Sequence, residues 1–156
     1  MRVVYLLRHA RAVLTDSTHN DFDRPLTTQG RAEATKISNI LLAERLSNPW
    51  VLSSPATRAR ETTDIVIATN GWSATFESRI YEAELDTLIA LISQINDESA
   101  VALIVGHNPG MENLLRYFTG QFRAMRTAGL AKVVLEIDSW QACATANAHC
   151  EWIVSP

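Results

Sequence analysis

The stretch VVYLLRHARA, residues 3–12, joins an apolar run to a cluster of cationic side chains. Val3 to Leu7 has the continuous apolar character of a strand that is buried on both faces of a sheet. Arg8, His9 and Arg11 follow it directly. Because cationic groups at the buried end of a strand are costly unless an anion compensates them, this stretch predicts an anion site.

The length and composition of the chain predict a single domain that covers residues 1–156. Hydrophobic residues make up 47% of the chain and charged residues 20%, which suits a packed core. The formal net charge of −3 argues against general affinity for nucleic acid or for an anionic membrane. An anion site must therefore be a local concentration of positive charge in a mildly acidic protein.

Neither a signal peptide nor a membrane anchor is expected, because the first apolar run is short and a charged pair interrupts it. Cys143 and Cys150 lie close together in the sequence. They can form a disulfide or remain free buried thiols, and a single loosely spaced pair favours free thiols. These features predict a cytoplasmic protein.

Strand-like and helix-like segments alternate along the chain. Strands are predicted at 3–7, 50–53, 74–77 and 100–107, with 130–137 and 150–154 as a final hairpin at one sheet edge. Helices are predicted from an N-cap at Thr27 to Leu46, from Pro55 to Gly71, within 84–95, and from Pro109 to Gly120. This alternation predicts a three-layer α/β/α sandwich with a mostly parallel sheet.

His9 and His107 each follow a predicted buried strand directly. Ligands of such sheets bind beyond the carboxyl ends of the strands, so the two histidines are expected to meet at one rim. Neighbouring arginines disfavour the protonated imidazole of His9 and leave a neutral nitrogen that can attack phosphorus. His107 is either a buried structural histidine or a donor to phosphoryl oxygens, in its protonated form when phosphate is bound.

Further side chains are expected at the same rim. Arg58 lies in the first turn of a predicted helix, where the helix N-terminus and the guanidinium fork both favour phosphate oxygens. Arg11 is a second candidate phosphate ligand. Glu82 is the candidate general acid, although acids in the first turn of a helix give the same pattern. Arg24 lies either near the mouth of the site or in an ion pair with a neighbouring aspartate.

Four sequence blocks together resemble the histidine phosphatase superfamily, also called phosphoglycerate mutase-like. They are LLRHA (6–10), DRPLTTQG (23–30), SSPATRARET (53–62) and VGHNPG (105–110), in this order. The short length and the segment TAGLAKVVLE (127–136) are similar to the SixA-type phosphohistidine phosphatase branch. The resemblance implies a phosphoglycerate mutase-like fold.

The resemblance also implies a phosphate pocket of two arginines and two histidines. His9 would be the nucleophile that becomes phosphorylated, and Arg8, Arg58 and His107 would hold the phosphoryl oxygens. The family usually has glycine where this sequence has Ala10. Because a small residue is kept, activity is expected to be kept.

The substrate that the resemblance implies is phosphohistidine on a carrier protein. Larger members carry a glutamate that acts as the proton donor, and Glu82 would take this role here. In small SixA-type members, this proton-donor function looks depleted. The P–N bond is weaker than a phosphoester bond and imidazole leaves more easily than an alkoxide, so less acid assistance is needed. No metal or other cofactor is expected, because arginines neutralise the phosphoryl charge.

Three other interpretations remain at this point. The same pocket suits a small phosphomonoester or a sugar phosphate. A metallohydrolase with His9, His107 and Glu82 as ligands is a second alternative, although the ligands are not closely spaced and the arginines repel a cation. A non-catalytic module that binds phosphorylated partners would carry much the same residues.

Overall fold

The computed structural model describes residues 1–16 and 18–156, which form one six-stranded sheet with helices on both faces. The strands are β1 (Arg2–Arg8), β2 (Trp50–Ser53), β3 (Ala74–Phe76), β4 (Val101–Gly106), β5 (Leu130–Leu135) and β6 (Ala148–Val154). The helices are α1 (Thr28–Ala43), α2 (Thr57–Asn70), α3 (Leu85–Ser93) and α4 (Gly110–Thr119). Two short 3-10 helices lie at Ser78–Ile80 and Trp140–Thr145. The predicted α/β class is confirmed.

The sheet has the strand order β3-β2-β4-β1-β5-β6. The adjacent pairs β3–β2, β2–β4 and β4–β1 are parallel, whereas β5 runs antiparallel to both β1 and β6. The predicted hairpin is therefore present at one edge, with the second 3-10 helix in its connection. Both cysteines are free; Cys143 is buried and Cys150 is half-buried. Within the described part of the chain, no helix is long and apolar enough to cross a membrane.

The apolar run of β1 contributes to both hydrophobic cores because successive side chains point to opposite faces of a sheet. Val4 and Leu6 pack in the core that includes side chains of α3 and α4. Tyr5 and Leu7 pack in the core that includes side chains of α1 and α2. All four side chains are fully buried. The continuous apolar pattern thus marks a central strand that helices cover on both sides.

Some predicted boundaries differ from the structure. The α1 helix ends at Ala43 rather than Leu46, because Arg45 adopts a φ of 52°, outside the right-handed helical region. Neither 3-10 helix was predicted, since a segment of three to six residues is too short to show helical periodicity. These differences do not change the order of the elements.

The pairing of β1 with β4 positions the functional rim. Arg8 lies opposite Gly106 in the parallel register, and the backbone N–H of His9 donates to the Gly106 carbonyl at 3.0 Å. His9 and His107 therefore leave neighbouring strands at the same level. The expected meeting of the two histidines follows from this register.

Gly30 allows the loop after β1 to pack against the first turn of α1. The Arg11 carbonyl accepts the Thr27 N–H at 3.0 Å, and the Thr27 hydroxyl caps the helix by accepting the Gly30 N–H at 2.9 Å. A Cβ atom at Gly30 would overlap the carbonyl oxygen of Arg11. The glycine of the LTTQG segment is therefore required by this close backbone approach.

We expect the substitution Gly30→Ala to destabilise the protein, although alanine favours a helix over glycine by about 1 kcal/mol. Overlap with the Arg11 carbonyl should outweigh this preference and lower the free energy of unfolding by roughly 1–3 kcal/mol. Urea denaturation measures the difference. The exposed position Asn39 on the same helix supplies the control Asn39→Ala, which should be neutral or slightly stabilising. Equal stability of the two variants would contradict the packing argument.

Candidate active site

A cleft of about 990 Å³ lies at the carboxyl ends of β1 and β4. Four of the predicted site residues line it together: Arg8, His9, Arg58 and His107. His9 and His107 follow the two central strands, and Arg58 lies in the first turn of α2, which follows β2. The imidazole ring centroids are 5.2 Å apart. The structure therefore brings these residues to one rim.

His9 is a buried imidazole with 7% of its surface exposed. Its Nδ1 lies 2.7 Å from the Ala10 carbonyl, which fixes the ring proton on Nδ1 because a carbonyl oxygen only accepts. Its Nε2 therefore carries a lone pair, and Arg58 Nε donates to it at 3.3 Å. Burial lowers the pKa of His9 to about 3, and His107, Arg58 and Arg8 act in the same direction. The neutral ring that the sequence predicts thus depends mainly on burial and less on the adjacent arginines.

His107 is buried to a similar degree, with 9% of its surface exposed. Its Nε2 lies 2.8 Å from the hydroxyl oxygen of Ser54. Its Nδ1 is buried and has no hydrogen-bond partner among the described residues. Burial and the nearby Arg58 guanidinium lower the pKa of His107 to about 4. The ring is therefore neutral in the substrate-free protein, whereas the sequence predicts a protonated ring in the phosphate-bound state, and its unpartnered nitrogen belongs to a residue that lines the cleft.

Arg58 is 5% exposed and makes its ion pair with Asp21. One terminal nitrogen donates to the Asp21 backbone carbonyl at 2.6 Å and the other donates to Asp21 Oδ2 at 3.1 Å. The Tyr81 hydroxyl donates to the same Oδ2 at 2.5 Å. The hydrogen bond from Tyr81, together with Arg58 and Arg24, lowers the pKa of Asp21 to about 2. Asp21 is therefore a carboxylate that joins two arginines and a tyrosine.

Arg24 satisfies both of the expectations that the sequence left open. It lines the cleft, and its guanidinium makes a two-nitrogen contact with Asp21 Oδ1 at 3.2 and 3.0 Å. A third bond runs to the backbone carbonyl of Val13 at 3.0 Å. Arg24 therefore anchors the loop between β1 and α1 at the mouth of the cleft.

Arg8 is held by the loop between α4 and β5. Its Nη1 donates to the Met125 carbonyl at 3.1 Å, and the same carbonyl accepts the Asn108 amide at 2.9 Å. Arg8 Nε is buried without a partner among the described residues. Burial lowers the pKa of the Arg8 guanidinium, Glu112 opposes this change and Arg58 adds to it. Arg8 therefore retains an unused donor beside the cleft.

Arg11 and Glu82 also line the cleft, but both are exposed. Arg11 Nη1 donates to Gln29 at 3.0 Å, and Arg11 Nε lies 4.0 Å from a carboxylate oxygen of Glu33. The Arg11 guanidinium is thus engaged with α1. Glu82 adopts a φ of 55°, in a region that residues other than glycine rarely occupy. This unusual backbone presents Glu82 at the cleft directly after Tyr81.

Sequence reasoning missed Ser54 and Tyr81, and it considered Asp21 only as one of two possible ion-pair partners of Arg24. Each lies within or beside a segment that was singled out, but its neighbours in space come from distant parts of the chain. Tyr81 contacts Asp21 across 60 positions, and Ser54 contacts His107 across 53. The pattern of one sequence carries no signal for such contacts.

The structure also bears on the three-ligand metal alternative. Across residues 1–16 and 18–156, no group of three His, Cys, Asp or Glu side chains is arranged to hold a metal ion. His9, His107 and Glu82 line one cleft without forming such a group.

The sequence and the structure are both similar to those of known proteins. The profile of the histidine phosphatase superfamily (branch 1) matches residues 4–100. An uncharacterized chloroplastic protein of Arabidopsis thaliana is 30% identical over 151 residues, which cover 90% of this chain and 69% of that protein. An uncharacterized protein of Mycobacterium tuberculosis is 36% identical over 105 residues, 66% of this chain and 63% of that protein.

Two solved structures extend the similarity to nearly the whole chain. A candidate phosphohistidine phosphatase SixA from Agrobacterium tumefaciens has a TM-score of 0.85 and 30% identity, covering 99% of this chain and 98% of that one. A protein histidine phosphatase SixA complexed with tungstate has a TM-score of 0.83 and 26% identity, covering 98% and 96%. With a family profile that matches more than half of its residues and a fold shared from end to end with these structures, the chain belongs to the histidine phosphatase superfamily and is of the SixA type.

Proposed function

We propose that this protein is a phosphatase that uses His9 as its nucleophile and removes phosphate from phosphohistidine on a partner protein. The observation that carries the proposal is the hydrogen bonding of His9. Its proton lies on Nδ1, toward the Ala10 carbonyl, so that Nε2 offers a lone pair inside a cationic cleft. A neutral imidazole with a lone pair on Nε2 and cations around it suits attack on a phosphoryl group.

In the first step, His9 Nε2 attacks phosphorus in line with the leaving nitrogen. The Nε2–P bond forms as the P–N bond of the substrate breaks, and charge on the three equatorial oxygens is neutralised by donors. Arg8, Arg58 and His107 supply these donors. Arg58 Nε contacts Nε2 in the substrate-free protein, so phosphoryl oxygens must draw this donor away from the nucleophile.

In the second step, water attacks the phosphorus of phospho-His9. A P–O bond forms, the Nε2–P bond breaks, and inorganic phosphate leaves with His9 neutral again. The reaction consumes one water for each phosphate released and involves no electron transfer. Guanidinium groups provide the charge stabilisation, so the scheme uses no metal or other cofactor.

Phosphohistidine is the favoured substrate because of its leaving group. The substrate imidazole leaves as a neutral molecule once its other nitrogen is protonated, so strong acid assistance is not needed.

The cleft is also open, and the exposed Leu14 lies on its lining, which suits a side chain on another protein. The two SixA structures at 30% and 26% identity carry the same substrate in their names, which supports this assignment. The proposed partner is a phosphohistidine-bearing carrier protein in the cytoplasm, a compartment in which free thiols persist.

The substitution His9→Ala is expected to abolish phosphate release without unfolding the protein. Release is measured from a phosphohistidine-bearing carrier protein and from an aryl phosphate, both with chelator present. The control His149→Ala removes an exposed histidine on β6 and should keep full activity. An acid-labile phosphoryl label should appear on wild type and be absent from His9→Ala. Phosphate binding without any turnover by wild type would instead support a non-catalytic module.

Activity should respond to pH as expected for a nucleophile that stays neutral. Because burial lowers the pKa of His9 to about 3, its lone pair is present at all higher pH values and is lost only as the pH falls through that value. We expect kcat/KM for an aryl phosphate to show no loss from His9 protonation between pH 8 and roughly pH 5. The substrate also titrates, and its contribution is corrected for by titrating the same substrate alone in buffer. A fall in kcat/KM with an apparent pKa near 6.5, assigned by NMR to His9, would contradict the proposal.

The substitution Glu82→Gln distinguishes the two substrate classes. If Glu82 donates a proton to the leaving group, its loss should slow hydrolysis of an alkyl phosphate by about 10²-fold, since an alkoxide needs protonation. Hydrolysis of phosphohistidine should fall by less than about tenfold, because imidazole leaves with little assistance. The control Glu84→Gln alters an exposed carboxylate that also lines the cleft. Equal losses for both substrates would remove Glu82 from the role of general acid.

A further inference from the structure

Ser54 is the side chain that contacts His107 on the side away from its free nitrogen. It is fully buried directly after β2, and its hydroxyl oxygen lies 2.8 Å from His107 Nε2. The same oxygen accepts the backbone N–H of Ala56 at 3.2 Å. A neutral imidazole has one N–H and one lone pair, so the direction of the Ser54 bond determines what Nδ1 offers to the cleft.

Two arrangements of protons satisfy the Ser54–His107 contact. In one, the Ser54 hydroxyl donates to Nε2, and Nδ1 carries the ring proton. In the other, Nε2–H donates to Ser54, whose own hydroxyl proton then has no acceptor among the described residues and is fully buried. Because an unsatisfied buried donor is costly, the first arrangement is favoured.

We propose that Ser54 is a positioning residue that keeps the proton of His107 on Nδ1 and so presents an N–H to the phosphoryl group. The inference deepens the proposed function and rests on His107 as a ligand of phosphate. With the proton on Nε2, Nδ1 would direct a lone pair at an anionic oxygen. Ser54 would thus act through His107 and make no contact with substrate itself.

His9 and His107 then carry opposite hydrogen-bond patterns toward one cleft. In His9, the backbone carbonyl of Ala10 accepts from Nδ1–H and leaves a lone pair on Nε2. In His107, the hydroxyl of Ser54 donates to Nε2 and leaves an N–H at Nδ1. A hydrogen-bond partner that only accepts leaves a lone pair on the other ring nitrogen, as the nucleophile needs. A partner that donates leaves an N–H on the other ring nitrogen, as the phosphate ligand needs. Such control of a ring nitrogen by the bond at the other nitrogen is a known property of functional histidines.

The first test reads the position of the proton directly. In ¹⁵N-labelled wild type at pH 7, the nitrogen shifts of His107 should identify Nδ1 as protonated and Nε2 as an acceptor. In Ser54→Ala, the donor is lost, and the population with the proton on Nε2 should rise. The control Ser53→Ala removes a neighbouring buried hydroxyl, which bonds to Thr63 and to the Ser54 carbonyl. This control should leave the His107 shifts as they are in wild type.

The second test measures affinity for inorganic phosphate, which needs no turnover. Loss of a correctly placed N–H donor to an anion should weaken phosphate binding by about tenfold in Ser54→Ala. Ser54→Thr retains a hydroxyl, and recovery of both the His107 shifts and the affinity in this variant supports the proposal. Circular dichroism and thermal unfolding confirm that each variant is folded.

Distinct outcomes separate this inference from the proposed function. A proton on Nε2 of His107 in wild type, or no change of the shifts in folded Ser54→Ala, would overturn the role of Ser54. Equal changes in Ser53→Ala would do the same, since they would indicate a general effect of lost packing. A wild-type protein that binds phosphate with the predicted proton position but releases none from either substrate would overturn the proposed function and leave the Ser54 inference standing.

Discussion

The parallel register between β1 and β4 is the constraint on which the site depends. Neighbouring strands lie about 4.8 Å apart, so residues that leave two strands at the same level are necessarily close. Arg8 lies opposite Gly106, and the imidazole rings of the next residues, His9 and His107, are 5.2 Å apart. A slip of one residue would turn each buried side chain of β1 to the opposite face. The hydrophobic core that locks this register therefore also sets the distance between the two histidines.

Burial gives the cleft its neutral histidines and, in the proposed mechanism, its affinity for an anion. It disfavours the charged form of each imidazole, and it makes every guanidinium costly unless a negative group is near. Among the inner side chains, Arg8, Arg24 and Arg58 are cationic, whereas Asp21 supplies one carboxylate. Glu112 also lies near Arg8 and opposes the effect of burial on the pKa of that guanidinium. In the proposed mechanism, the phosphoryl group brings its negative charge next to these guanidinium groups.

The order of elements and the four central site residues could be predicted from the sequence because each depends on local pattern. A buried strand reads as an apolar run, and His9 and His107 follow such runs directly. The prediction assigned the neutral state of His9 to its arginine neighbours, whereas burial is the larger cause. Burial of one side chain is a property of the assembled fold, which the identity of adjacent residues does not report. The contacts of Asp21 with Arg58 and Tyr81, and of Ser54 with His107, were missed for the same reason, since each joins segments more than 35 positions apart.

In the proposed mechanism, the position of two protons, more than the number of charges, distinguishes the roles of the two histidines. Both rings are neutral, buried and near Arg58, so electrostatic surroundings alone do not make one a nucleophile and the other a ligand. Their different hydrogen-bond partners do: the Ala10 carbonyl acts only as an acceptor, whereas a hydroxyl is able to donate. If both rings offered lone pairs, the phosphoryl oxygens would lose a donor; if both offered N–H groups, there would be no nucleophile. In this proposal, a pair of similar side chains gains two functions from one backbone atom and one buried hydroxyl.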